Sequence, residues 1–341
     1  MPMISHQYID RETGLIQDER LYYDRLIALF YDVGREWSPF LFRMITSPRS
    51  TALLGFLNYD WQLGCKILGV QRFVKNLGID LSECTEKEEF YDTPRKVFER
   101  TIRYWECRPM DEHPASVVSP ADARLLFGSF SRNSLLFLKE KFFGFEELLG
   151  SEKREWLGAF ESGEYAIFRL TPDKYHYNHL PVSGVVLDHY AIDGVYHSCN
   201  PSAVISLGTA YSKNKRIVTI IDTDVAGGSE VGLVAMIEIV ALMIGEIVQC
   251  YSEYRYADPR PVLPGMFLKK GQPKSLYRPG SSTDVVIFQR GRILPCQDLL
   301  DNMGRRDIQS RFSDGFGKSL VETGVKVRST IAYANPFSSK S

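Results

Sequence analysis

From Val117 onward the chain breaks into short β-branched or aromatic runs separated by Gly, Pro, Asn and Asp. Tyr165-Ala-Ile-Phe-Arg-Leu, Val185-Val-Leu, Ile217-Val-Thr-Ile-Ile and Val285-Val-Ile-Phe suit a pleated, packed surface and read as strands. Ahead of that point the period is helical. Leu26, Ile27, Phe30, Val33 and Trp37 recur at spacings of one, three and four, and Phe40, Leu41 and Met44 continue the stripe. Ser38-Pro39 and Ser47-Pro48 supply breaks, each serine a cap with proline at the first helical position. Residues 85–113 are charged and also helix-like. The chain therefore reads as α+β, with a helical N-terminal region over 1–113 and a β-rich core over 114–341.

At 341 residues, 44% hydrophobic and 24% charged, the chain can bury a core as one large domain or two small ones. Its 41 basic and 42 acidic residues leave a net charge of −1, so nucleic acid is not an expected partner. Any basic surface must be local. Between residues 35 and 75, six basic residues (Arg35, Arg43, Arg49, Lys66, Arg72, Lys75) face two acids (Glu36, Asp60). A helical segment both apolar and basic suits an anionic membrane surface; the plainer alternative is a subdomain packed on the core with its basic side in water.

The most apolar stretch, Val231 to Cys250, is interrupted by Glu238 and Glu246. Each acid would cost roughly 2.5–3.5 kcal/mol at a bilayer centre, so the stretch reads as buried strand and no transmembrane segment is expected. The charged N-terminus (Asp10, Arg11, Glu12, Asp18, Glu19, Arg20) argues against a signal peptide. Six scattered cysteines form no C-x-x-C pair and read as reduced cytosolic thiols.

Three segments carry reactive groups: Ser119-Pro-Ala-Asp122-Ala, Tyr175-His176-Tyr-Asn-His179-Leu-Pro-Val-Ser-Gly184, and Lys270-Gly-Gln-Pro273 followed by Arg278-Pro-Gly-Ser281-Ser282-Thr-Asp284. Alone, each has an ordinary reading. Asp122 after a proline is a turn or cap residue. His176 and His179, at i and i+3, lack a matching third ligand, so no metal is expected. Gly-Ser-Ser-Thr before a strand is a turn. Together they supply an acid, a base and a hydroxyl, the set that activates a serine.

In order and distance these segments resemble the signature motifs of phosphatidylserine decarboxylases: Pro-x-Asp-Gly, Tyr-His-x-x-His-x-Pro-x-x-Gly, and a Gly-Ser-Thr preceded by Lys-Gly and followed by an apolar strand. Gly78–Glu83, Tyr91–Arg100 and Arg108–Asp111 resemble the family's helical lead-in; Asp222-Thr223 and Ile239–Ile247 resemble two of its strands. The resemblance implies a serine that attacks the carbonyl before it, cuts the chain near 281/282 and becomes a pyruvoyl group. That carbonyl captures the substrate amine and takes the electrons released as CO2 leaves. It further implies His179 as base for the serine, Asp122 fixing its tautomer, and His176 handling substrate or returning a proton. The expected substrate is phosphatidylserine, met peripherally at the cytoplasmic side of a membrane, and the expected form is two cleaved chains held as one αβ unit. A homodimer is an assembly the sequence leaves open.

The serine itself has two candidates. A Gly-Ser rule points to Ser281. Counting favours Ser282, eleven residues after Gly271 and six before Phe288, as in the family. Two departures stand out: Ala123 replaces the family's usual glycine, and Tyr177 stands where arginine is common. The alternatives are a soluble pyruvoyl-dependent decarboxylase of a free amino acid and a non-catalytic binding domain on the same scaffold.

Overall fold

The computed structural model describes residues 5–21, 24, 27, 31, 46, 69–131, 134, 136, 142–241, 246–280 and 282–338. In chain order the strands are β1 (Gln7–Asp10), β2 (Ile16–Asp18), β3 (Ser116–Val118), β4 (Ala123–Ser129), β5 (Glu164–Leu170) and β6 (Tyr177–His179). They continue with β7 (Gly184–Ile192), β8 (Arg216–Asp222), β9 (Leu233–Val240), β10 (Ile247–Gln249), β11 (Phe267–Leu268) and β12 (Pro273–Tyr277). The last four are β13 (Ser282–Phe288), β14 (Ile293–Pro295), β15 (Glu322–Val325) and β16 (Thr330–Ala334).

Among the described residues, ten strands pair in the order β11–β7–β8–β9–β13–β5–β4–β15–β1–β2. Two three-stranded sheets, β10–β12–β6 and β14–β16–β3, accompany it. The mixed α+β class and the β-rich core expected from the sequence are both present. Each apolar run singled out above is a strand, and the Val231–Cys250 stretch contains β9 and β10. β9 and β13 read as nearly unbroken apolar runs because both faces of the sheet are covered there.

β13 is the strand that matters most. It pairs antiparallel along its whole length with β5 on one side and β9 on the other. Side chains alternate across a strand, so Ser282 and Asp284 share one face while Thr283 takes the other. The Ser282 face also carries Glu238, directly opposite Asp284, and meets the β10–β12–β6 layer through Lys274 and Asn178. The opposite face carries Arg169, which lies opposite Thr283 and over which Phe312 of the helix Arg311–Phe316 packs.

The N-terminal region differs from a purely helical reading. β1 and β2 join the main sheet at its edge, β1 pairing parallel with β15. Arg169 locks this edge, donating to Glu322 from Nε at 3.0 Å and to Glu19 from Nη1 at 2.8 Å. The helix Val70–Leu77 closes the stretch read as helical from residue 20, while Trp37, Phe40–Phe42 and the basic residues Arg35, Arg43, Arg49 and Lys66 lie outside the described residues. Within 85–113 the helices are short, Pro94–Phe98 and Tyr104–Cys107. Thr93 caps the first, its side chain accepting from the Lys96 N–H, with Pro94 at the first turn. Val97 and Tyr104 of these helices, with Ile102 between them, form a second apolar cluster with Cys84, Tyr91 and Tyr175. That cluster sets the helical segment against the histidine motif.

Candidate active site

His179 closes β6, and both its ring nitrogens are satisfied. Nδ1 donates to the Gly271 carbonyl at 2.9 Å, and Nε2 accepts from the Tyr175 hydroxyl at 2.9 Å. A carbonyl can only accept, so it fixes the neutral tautomer with the proton on Nδ1. Position 271 favours glycine, because φ is +73°, a backbone conformation that strains a side chain. Behind Tyr175 the Tyr256 hydroxyl lies at 2.6 Å, and Tyr104 meets the His179 ring edge-on at 4.8 Å. Burial pushes His179 down to about 3.

His176 has a different environment. Its ring stacks on Phe98 at 3.6 Å, and neither nitrogen has a hydrogen-bond partner among the described residues. Burial, reinforced by the charge of Arg100, pushes it down to about 3. Burial keeps it a neutral imidazole.

Asp122 lies in the turn before β4 and is buried. Arg108 grips it with two hydrogen bonds, Nε to Oδ1 at 3.0 Å and Nη2 to Oδ2 at 2.8 Å, and the Val327 N–H donates to Oδ1 at 2.8 Å. Glu83 holds the far side of the same guanidinium at 2.9 Å. Burial alone would raise this carboxyl, but Arg108 outweighs it and holds the group below the usual range. Asp122 thus makes no hydrogen bond to His179; the partner that sets the tautomer is Gly271, and Asp122 reaches both histidines by charge alone. The loss of glycine at Ala123 is harmless, because that residue simply opens β4 without a positive φ. Tyr177 fills its position by stacking on Tyr175 at 5.6 Å.

Ser282 begins β13, opposite Leu170 and Val240. Its Oγ is buried with no hydrogen-bond partner among the described residues, and its carbonyl accepts from Cys199 Sγ at 3.7 Å. The hydroxyl is therefore not bonded to His176, His179 or Asp122. Ser281 lies outside the described residues.

Beside Ser282 is a charged cluster that sequence reasoning missed. Glu238 and Lys274, both without exposed side-chain surface, pair at 2.6 Å. Gln249 donates to Glu238 at 2.9 Å, and Ser275 also donates to it. Burial would raise Glu238, but Lys274 holds it down. Asp284 takes the opposite course: burial and the charge of Glu238 drive it well above the usual range, with the Tyr277 hydroxyl 2.7 Å from Oδ1 and Oδ2 unpartnered. Two carboxyls in one buried layer are thus pushed in opposite directions. The available signal was an acid inside each of two apolar strands.

A family model for phosphatidylserine decarboxylase matches residues 95–305. The chain is 28% identical over 309 residues to a phosphatidylserine decarboxylase proenzyme of Fusobacterium nucleatum, covering 87% of this chain and 91% of that one. It is 30% identical over 296 residues to a proenzyme of the same description from Chlamydia trachomatis, covering 86% and 90%. A third, from Ruminiclostridium cellulolyticum, is 29% identical over 297 residues. A match across the helical lead-in, the histidine motif and the serine strand alike means that the chain belongs to the phosphatidylserine decarboxylase family.

Proposed function

We propose that this protein converts phosphatidylserine to phosphatidylethanolamine, using a pyruvoyl group that it makes from Ser282. The observation that carries the reading is the buried, unpartnered hydroxyl of Ser282 at the head of a central strand. The residue suits such a group. Among the described residues nothing else engages its Oγ, and pairing with β5 and β9 holds residues 282–288 in place whether or not the chain before them is cut.

In self-cleavage the Ser282 hydroxyl adds to the carbonyl of residue 281, and the amide becomes an ester. Elimination across Cα–Cβ of residue 282 then releases the carboxylate of residue 281. Hydrolysis of the remaining enamine expels ammonia and leaves the pyruvoyl group. His179 is the base, because Gly271 leaves the lone pair on Nε2, and displacement of the Tyr175 hydroxyl would open it to the serine. Asp122, anchored by Arg108, favours the protonated imidazole through its charge. His176, whose ring nitrogens engage no side chain among the described residues, holds or returns a proton at the substrate. When bound, the pyruvoyl group supplies the sink for the electrons freed as CO2 departs.

A lipid substrate requires contact with a membrane surface. Among the described residues no helix is long and apolar enough to cross one. Docking through the apolar and basic segment 35–75 is supported by its sequence and by Arg72, which is exposed on the helix Val70–Leu77.

Mass spectrometry and CO2 release test this reading together. Active protein should contain chains 1–281 and 282–341; cleavage before Ser281 would move the site by one residue. Ser282→Ala and His179→Ala should stay uncut, while His176→Ala should be cut at least in part yet turn over nothing. CO2 should come from phosphatidylserine vesicles. An intact chain in active protein would refute the pyruvoyl mechanism, and CO2 from free amino acids alone would favour the soluble decarboxylase.

A further inference from the structure

On the sheet face opposite Ser282, a cavity of about 250 Å³ opens between β2, β4 and the C-terminal turn of the helix Val70–Leu77. Arg124 lies in it. This residue pairs with Arg169, which pairs in turn with Thr283, so alternation puts its side chain on the face that Ser282 does not use. Arg124 is only 6% exposed, and its Nε is buried with no hydrogen-bond partner among the described residues. It lies on the ring of Tyr8, 3.3 Å from the centroid. A buried guanidinium with unused donors is costly unless something supplies acceptors.

The acids around this cavity are already engaged. Glu19 is held by Arg169, Asp173 is paired with Lys174 at 3.1 Å, and Asp18 accepts from Ser5 and Gln7. The cations keep donors to spare. The Lys75 ammonium, on the cavity wall, has no partner among the described residues, and Arg20 spends only one nitrogen, on the Asn76 carbonyl.

We propose that this cavity is a binding site for a phosphate group, with Arg124 as the buried fork and Lys75 and Arg20 as the outer charges. Planar guanidinium donors and a mobile ammonium suit a compact, multiply charged oxyanion. The site is separate from the serine chemistry, being divided from it by the sheet.

Calorimetric titration of the full-length protein with inorganic phosphate, against chloride at matched ionic strength, tests the assignment. Phosphate should bind one site per chain. Arg124→Gln and Lys75→Ala should each weaken it about tenfold, and Lys75→Ala, being a surface change, should leave the melting temperature unaltered. Vesicles of phosphatidylglycerol in phosphatidylcholine, added as competitor, identify the source. Displacement of phosphate assigns the site to a lipid phosphodiester, and retention assigns it to a free phosphate. No heat beyond that of chloride, or an unchanged affinity in Lys75→Ala, overturns the proposal.

Discussion

His176 and His179 are kept neutral by burial, each pushed down to about 3, whereas an unfolded chain would titrate them near 6.5. Between those values the unfolded state binds more protons, so stability from this pair is complete above about pH 6.5 and is lost as pH falls. From pH 6.5 to 5 the two together should remove up to about 4 kcal/mol. Urea melts at pH 7.5 and pH 5 measure this, and His176→Gln should show about half of the pair's slope. A slope unchanged in that variant would mean that His176 is not held neutral. The same neutrality lets His179 act as a base without first losing a proton. Neither property was legible in the motif itself, since Tyr-His-x-x-His says nothing of what encloses the rings. Phe98, Tyr104 and Gly271 do that.

At the scale of elements, β9 and β12 belong to different layers and are joined by the Glu238–Lys274 pair. Such a pair adds little net stability over an apolar substitute, but removing one partner strands a charge in the core. Lys274→Met should therefore cost about 3–5 kcal/mol. The double variant Glu238→Gln, Lys274→Met should recover much of that loss in a denaturation cycle. If the single change costs no more than the double, the pair is not the link between the layers. β9 as an element was readable from its apolar run; its acid was readable only as an obstacle to crossing a membrane. What Glu238 does instead depends on Lys274, thirty-six positions away on a strand with no periodicity in common.

Across the whole molecule, residues 282–341 are woven among earlier strands. β13 lies between β5 and β9, β15 between β1 and β4, and β16 pairs with β3. Cutting before Ser282 therefore breaks one bond but frees no sheet. The cut protein should elute as a single species in native gel filtration and part into two chains only in denaturant. Release of the shorter chain under native conditions would contradict this interleaving. The same weave accounts for β1 and β2: the first strands of the chain reach the core sheet only because β15, near its other end, offers them an edge.

The sequence by itself determined where β5, β7, β8, β9 and β13 fall, because β-branched runs between turn residues leave few alternatives. It also marked Asp122, His176, His179 and Ser282 as a set, through the order of three short motifs. Tertiary structure alone decided how those residues are engaged. Arg108 rather than a histidine holds Asp122, a backbone carbonyl rather than Asp122 sets the tautomer of His179, and burial together with Glu238 across the strand pair drives Asp284 upward. Each of these contacts joins positions far apart in the chain, or depends on burial from several elements at once. Local periodicity records neither, because it reports which face a residue takes and not what that face will meet.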